Sequence, residues 1–217
     1  MIQYQGENKR NPRKSNMQDK GTEIDRVYQE VVRRGLLRSC DLQGKSDRMH
    51  LSRLYEQGKI KRIARGVYAS SDKELSAASA MAVVSLKIPK GVICLVSALN
   101  YYDITTQVPW EVWVAIPDNS VTPRIPEHQV KYVWFSDKML KAGVDMVTVD
   151  DVPVRIFSPA KTIADCFKYR NKIGMEVCLD ALQEGWKRRL FSMDDLWKYS
   201  KICRVRTVIR PYLEVLK

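Results

Sequence analysis

Between Ser46 and Tyr68 the chain reads SDRMHLSRLYEQGKIKRIARGVY, a run that few folds accommodate. At about 100° per residue with Leu51 as reference, Leu54 and Tyr55 fall beside it, Met49, Arg53 and Glu56 point the opposite way, and His50 and Ser52 lie at the flanks. One face is suited to packing and the other to entering a groove. Ser46 is placed to cap the start of this helix, and Gly58 to take the left-handed conformation that ends it. Beyond it, Lys59, Lys61, Arg62 and Arg65 surround Ile60 and Ile63, and Gly66 supplies a tight turn before Val67 and Tyr68 return. Helix, glycine stop and basic hairpin follow one another as the recognition helix and wing of a winged helix-turn-helix do. A basic hairpin beside a reading helix suits phosphate contact.

The residues before this run complete the module. Residues 1–20 are polar and aperiodic, with Lys9, Arg10, Arg13 and Lys14 around Asn11 and Pro12, and read as a disordered basic arm, either a minor-groove tail or a solubilising one. From Thr22 the pattern turns helical. Thr22 and Asp25 resemble a capping box, and Ile24, Val27, Tyr28 and Val31 recur at helical spacing until Gly35. Ser39 to Leu42 suffices for a short second helix, and Gly44 turns the chain into Ser46. Residues 21–70 are therefore expected to form the winged module, and residues 71–217 a second domain.

That second domain reads as a mixed sheet with helices. Ser71 to Leu86 and Val92 to Tyr102 carry apolar helical stripes separated by Pro89 and Gly91. Glu111 to Ile116 and Val130 to Phe135 are strands, and Val144 to Val149 with Val152 to Phe157 make a hairpin about Asp150-Asp151. Ser158-Pro159 opens a helix with proline at its first position. Met175 to Trp186 forms another. Ser192, Asp195 and a Phe191–Leu196 staple start a third that runs to about Tyr199. Arg204 to Leu216 is amphipathic, with Pro211 as a kink or a helix start. The expected class is α+β: an N-terminal winged helix-turn-helix followed by a mixed sheet and helix C-terminal domain.

Charge is spread unevenly. The formal net charge of +12 divides into +8 over residues 1–70, −2 over 71–157 and +6 over 158–217. A basic first segment implies an anionic partner, since clustered Lys and Arg release counterions from nucleic acid. Five scattered cysteines without a C-x-x-C pair read as reduced core residues. With only His50 and His128 there is no His/Cys cluster at metal-ligand spacing and no convincing nucleophile pair, so neither metal nor cofactor is expected and the chain does not read as an enzyme. The N-terminus lacks an apolar signal core and no apolar run approaches the roughly 20 residues needed to span a bilayer, which points to a cytoplasmic protein without a membrane.

Individual residues carry competing readings. DNA contacts are expected at Lys45, Ser46, Arg48, Met49, His50, Ser52 and Arg53, and on the wing at Lys61, Arg62 and Arg65. Arg53 suits a guanine edge, a contact worth roughly 1–3 kcal/mol of base discrimination; its bland alternative is an ion pair with Glu56. His50 is read as a phosphate contact and Met49 as touching a thymine methyl or the interface edge. Tyr68 reads as packing beneath the wing. Asp150 and Asp151 read as a solvated turn in preference to a cation site. Asp165, within an apolar helix, requires a partner, expected to be a backbone amide or Arg155. Trp110, Trp113 and Trp134 read as core, or else as toxin or dimer contacts. Lys187, Arg188, Arg189, Arg204, Arg206 and Arg210 make a second basic surface: solvated, a further DNA contact, or a dock for an acidic protein.

In order, GKIKRIARGVYAS, VSALNYYDIT, WEVWVAIP and VRIFSPAKTIADCF resemble the AbiEi family of antitoxins from type IV toxin-antitoxin systems, over roughly Thr22 to Leu216. The resemblance implies an N-terminal winged helix that binds inverted repeats in double-stranded DNA upstream of its own operon, represses it and takes part in phage defence. It implies a C-terminal domain that counters a nucleotidyltransferase-like toxin, with or without a stable complex. The family's DNA-contacting element falls on Ser46 to Arg53 and on Lys61, Arg62 and Arg65. Its C-terminal helix-start motif falls on Ser158, Pro159, Lys161, Thr162, Ile163 and Asp165, with Ala160-Lys161 where many relatives carry an acidic-basic pair. Two copies on the repeats would mirror their symmetry. The competing reading is a stand-alone winged-helix regulator whose C-terminal domain senses a ligand.

Overall fold

The computed structural model describes residues 16–215 and divides the chain into two compact units, Met1–Lys73 and Glu74–Lys217. The first unit runs α1 (Asn16–Arg34), β1 (Leu37–Arg38), α2 (Asp47–Glu56), β2 (Ile60–Ala64) and β3 (Val67–Ser70), with its strands ordered β1-β3-β2, all antiparallel. Val27 and Val31 of α1 meet Leu37, Leu51, Leu54 and Ile60 in one small core. This is the winged arrangement, with three departures from expectation. Helix α1 already includes residues 16–20, read as part of the arm, so Thr22 lies inside the helix and not at its start; the rest of that arm lies outside the described residues. No helix forms at residues 39–42. There, Arg38 closes a turn on Asp41 through Nη2 at 2.6 Å, and Leu37–Arg38 is drawn into the sheet beside Val67 and Tyr68. Third, Ser46 occupies the cap position without a side-chain hydrogen bond, and the adjacent Asp47 accepts the Gly44 N–H at 2.8 Å, which fixes the turn entering the helix and caps no helical N–H.

The second unit contains α3 (Ser79–Lys87), β4 (Val92–Ile93), α4 (Leu95–Tyr101), β5 (Val112–Pro117), β6 (Val130–Phe135), α5 (Asp137–Lys141), β7 (Val144–Val149), β8 (Val152–Phe157), α6 (Pro159–Lys168), α7 (Arg170–Ile173), α8 (Met175–Lys187), α9 (Met193–Cys203) and α10 (Arg206–Val215). Its five strands are ordered β6-β5-β4-β8-β7, with β5–β6 and β4–β8 parallel and the other pairs antiparallel. The sheet's middle strand is the two-residue β4, within the segment read as one helix from Val92. Both its residues are buried, and a strand so short carries no alternation to betray it. Residues 71–78, read as helical, precede α3 in turns. The β7–β8 turn places Asp150 (φ 49°) and Asp151 (φ 66°) in the left-handed region, the twist a two-residue hairpin requires. Asp150 also accepts from Ser76, from N at 3.0 Å and Oγ at 3.2 Å.

Helix α6 lies at the centre of this unit, buried from Ala160 to Phe167. Lys161 and Asp165, one turn apart, form an ion pair with no exposure to solvent, in place of the expected amide or Arg155 partner. Arg155 instead donates to the Lys90 carbonyl at 3.0 Å. Cys203 Sγ stands 3.1 Å from Asp165 Oδ1, and the Lys161 ammonium sits 4.1 Å from the Phe157 ring centroid and 4.9 Å from that of Phe135. Burial raises the Asp165 carboxyl above the ordinary range against the pull of Lys161. Ser192 caps α9 by accepting the Asp195 N–H at 3.1 Å, as the sequence led us to expect, and α9 then runs on to Cys203. Pro211 lies inside α10.

Candidate nucleic-acid interface

Helix α2 sorts its residues into two stripes. Asp47, His50, Leu51 and Leu54 are buried, while Arg48, Met49, Ser52 and Arg53 are exposed, continuing Lys45 at helical spacing. The inner stripe is held by polar as well as apolar contacts. The Asp47 carboxylate pairs with Arg26 of α1 and accepts the Gly44 N–H, leaving so little room that a Cβ at position 44 would lie 2.4 Å from Asp47 Oδ1. His50 turns inward to Glu23 of α1, with Nε2 3.1 Å from Oε2. The expectation of a His50–phosphate contact is thereby corrected: the ring is 1% exposed and serves to lock α2 onto α1. Met49 remains half-exposed at 46%.

Arg53 is exposed, and among the described residues it is not paired with Glu56. Gly58 (φ 70°) ends the helix with open space around its Cα, so the chain turns at once into the wing. Tyr55, expected to pack, is 52% exposed and meets Tyr68 edge-on with centroids 6.5 Å apart. Tyr68 itself packs on the small core, as expected.

The wing cations divide by position. Arg62 and Arg65 are exposed near the tip, where Gly66 has φ 71°. Lys61 is different. Its ammonium donates to the carbonyls of Ser71 at 3.2 Å and Lys73 at 2.6 Å, tying down the segment that leaves the wing. Lys59, exposed where the wing begins, belongs to the same basic set. A stripe of Lys45, Arg48, Ser52 and Arg53 beside Arg62 and Arg65 offers phosphate and base-edge donors on one small unit. No acid of α2 but Glu56 is exposed beside them.

Residues 25–71 match the family model of the AbiEi antitoxin transcriptional regulators. The chain carries an AbiEi antitoxin regulator domain. The match covers the C-terminal half of α1, all of α2 and the whole wing, stops short of Glu23, and supports a DNA-binding regulator of the antitoxin type for this unit. No curated protein matches the chain.

The chain's other basic group lies in the second unit, outside the matched residues, and is not uniform. Arg188 is engaged in the fold, donating to the carbonyls of Tyr102 at 3.0 Å and Asp103 at 2.7 Å. Arg204 ends α9 in the left-handed region, Arg206 covers the Trp197 ring at 5.4 Å, and Arg210 pairs with Glu214 at 3.1 Å. Lys187 and Arg189 border a hollow of about 610 Å³. Of the three tryptophans read as core, Trp113 is buried, whereas Trp134 is half-exposed and Trp110, in a loop before β5, is 91% exposed. Among the described residues no group of three or more His, Cys, Asp or Glu is placed to hold a metal, and no helix is long and apolar enough to cross a membrane.

Proposed function

We propose that this protein is a sequence-specific DNA-binding antitoxin that represses its own operon through the winged unit and opposes a nucleotidyltransferase-like toxin through residues 71–217. The supporting observation is the exposed stripe of α2, with Arg53 unpaired among the described residues, next to Arg62 and Arg65 in an AbiEi regulator domain. Base-edge hydrogen bonds from Arg53 specify sequence. Phosphate contacts from Lys45, Arg48, Arg62 and Arg65 fix register, and Lys61 adds charge from the wing's base. His50 and Asp47 act behind the interface by holding α2 at its angle to α1.

The test is binding of wild type and Arg53→Ala to the native upstream duplex and to a random duplex across a salt series. A bidentate contact to guanine predicts a loss of about 5- to 150-fold on the native duplex alone, from its roughly 1–3 kcal/mol. Arg62→Ala should weaken both duplexes alike and lower the salt slope by about 1. Equal affinity of the wild type for both duplexes would refute the repressor half. Deleting the gene next to an intact toxin gene should arrest growth; unimpaired growth would refute the antitoxin half.

A further inference from the structure

The helices α8, α9 and α10 leave two hollows that share a wall residue. One, of about 590 Å³, is lined by Met193, Trp197, Arg206, Thr207, Arg210 and Leu213, together with Glu214. The other, of about 610 Å³, includes Trp186, Lys187, Arg189, Phe191 and the same Met193. The floor is apolar and the rims are cationic. Residues 184–214 hold eight Lys and Arg against four Asp and Glu, and three of those acids are already engaged, Asp195 with Ser192 Oγ at 2.6 Å, Glu214 with Arg210 and Glu184 with Arg188.

Those features discriminate between anionic partners. A nucleic acid strand on such a surface gains most from bare aromatic faces on which bases stack. Here Arg206 already covers Trp197, and Trp186 packs against Phe191 with centroids 6.1 Å apart. An apolar side chain entering the Met193–Leu213 hollow meets none of these obstacles, and carboxylates flanking it reach Arg206 on one side and Lys187 or Arg189 on the other.

We propose that this face docks an acidic protein segment that inserts an aromatic or aliphatic anchor between α9 and α10. The proposal is independent of the DNA-binding reading, because none of its residues belongs to the winged unit.

The experiment titrates the full chain into three labelled probes and follows anisotropy: a random glutamate–tyrosine copolymer, poly-glutamate of equal length, and a single-stranded oligo-thymidylate. The copolymer should bind at least fivefold more tightly than poly-glutamate. Arg206→Glu and Arg189→Glu should each weaken it about 2- to 5-fold, and Thr207→Trp, which fills the hollow without changing charge, should weaken it at least as much. Arg53→Ala should leave copolymer binding unchanged while it weakens operator binding, which separates this proposal from the DNA reading. All three surface positions are exposed, and unchanged thermal melts confirm folding. Equal binding of copolymer and poly-glutamate, insensitivity to all three variants, or tighter binding of oligo-thymidylate that these variants abolish would each overturn it.

Discussion

Replacing Asp165 by asparagine preserves shape and removes one charge from an ion pair that has no contact with water. Lys161 is then an ammonium among apolar groups. The Phe157 and Phe135 rings, 4.1 and 4.9 Å from Nζ, recover about 2 kcal/mol of cation–π attraction, far less than the cost of an unpaired buried charge. Loss of one partner of a buried pair costs about 3–5 kcal/mol, a third or more of the stability of an ordinary domain. All five tryptophans lie in the second unit, so a urea titration followed by tryptophan fluorescence reports on that unit alone. With a slope of about 2 kcal/mol per molar urea, the midpoint should fall by about 1.5–2.5 M. The double variant Lys161→Met/Asp165→Leu, which removes both charges and keeps the volume, should regain most of the loss. A midpoint shift below about 0.5 M for Asp165→Asn, or a double variant as unstable as the sum of its single changes, would refute the claim that pairing is what makes this burial tolerable.

Two further outcomes concern the winged unit. Arg33 holds the Glu30 carboxyl down from 4.5 to about 2, with Arg34 adding to the effect. A depressed carboxyl contributes stability above its unfolded value and loses it as pH falls through the folded one. Hydrogen exchange of α1 amides should therefore be faster in Glu30→Gln than in wild type at pH 7, with the difference shrinking below about pH 4.5 and gone near pH 2; a difference that persists at pH 2 would contradict the assignment. Gly58→Ala adds a methyl group to open space at φ 70°, so its whole effect is conformational. Destabilisation of about 1 kcal/mol, read as lost protection of α2 amides, is expected, and no loss would mean that the turn is not held left-handed.

What could be read from the residues depended on how local the determining force was. Gly58, Gly66, the basic hairpin and the β6, β7 and β8 strands announce themselves through spacing, because turn stereochemistry and alternation act over a few residues. His50 was ambiguous on the wheel, and only Glu23, on a different helix, draws it inward. Ser46 fits a cap by residue type but makes no cap bond, and the helix start is held instead by Asp47, tied to Arg26 on a different helix. Lys161 resembled any helical lysine until the fold set two phenylalanine rings and Asp165 around it. Trp110 goes the opposite way: its apolar type suggests burial first and a partner contact second, and its loop leaves it exposed, against the first of those readings only. For His50 and Asp47 the deciding partner, Glu23 or Arg26, lies on a different helix more than twenty residues away.

The two sheets mature on different schedules during synthesis. Every pairing in the β1-β3-β2 sheet is made by residue 70, whereas β4 obtains its second neighbour only when Ile93 meets Ile156. Domains generally fold as units in the order they emerge, at about 5–20 residues per second. The ribosome therefore releases a finished winged unit about 4–17 s before the strand that completes the second sheet exists. On the function proposed above, a nascent chain would grip its operator while the second unit is still unmade, and in a cell that couples translation to transcription the first copies made would already sit beside the gene that they silence.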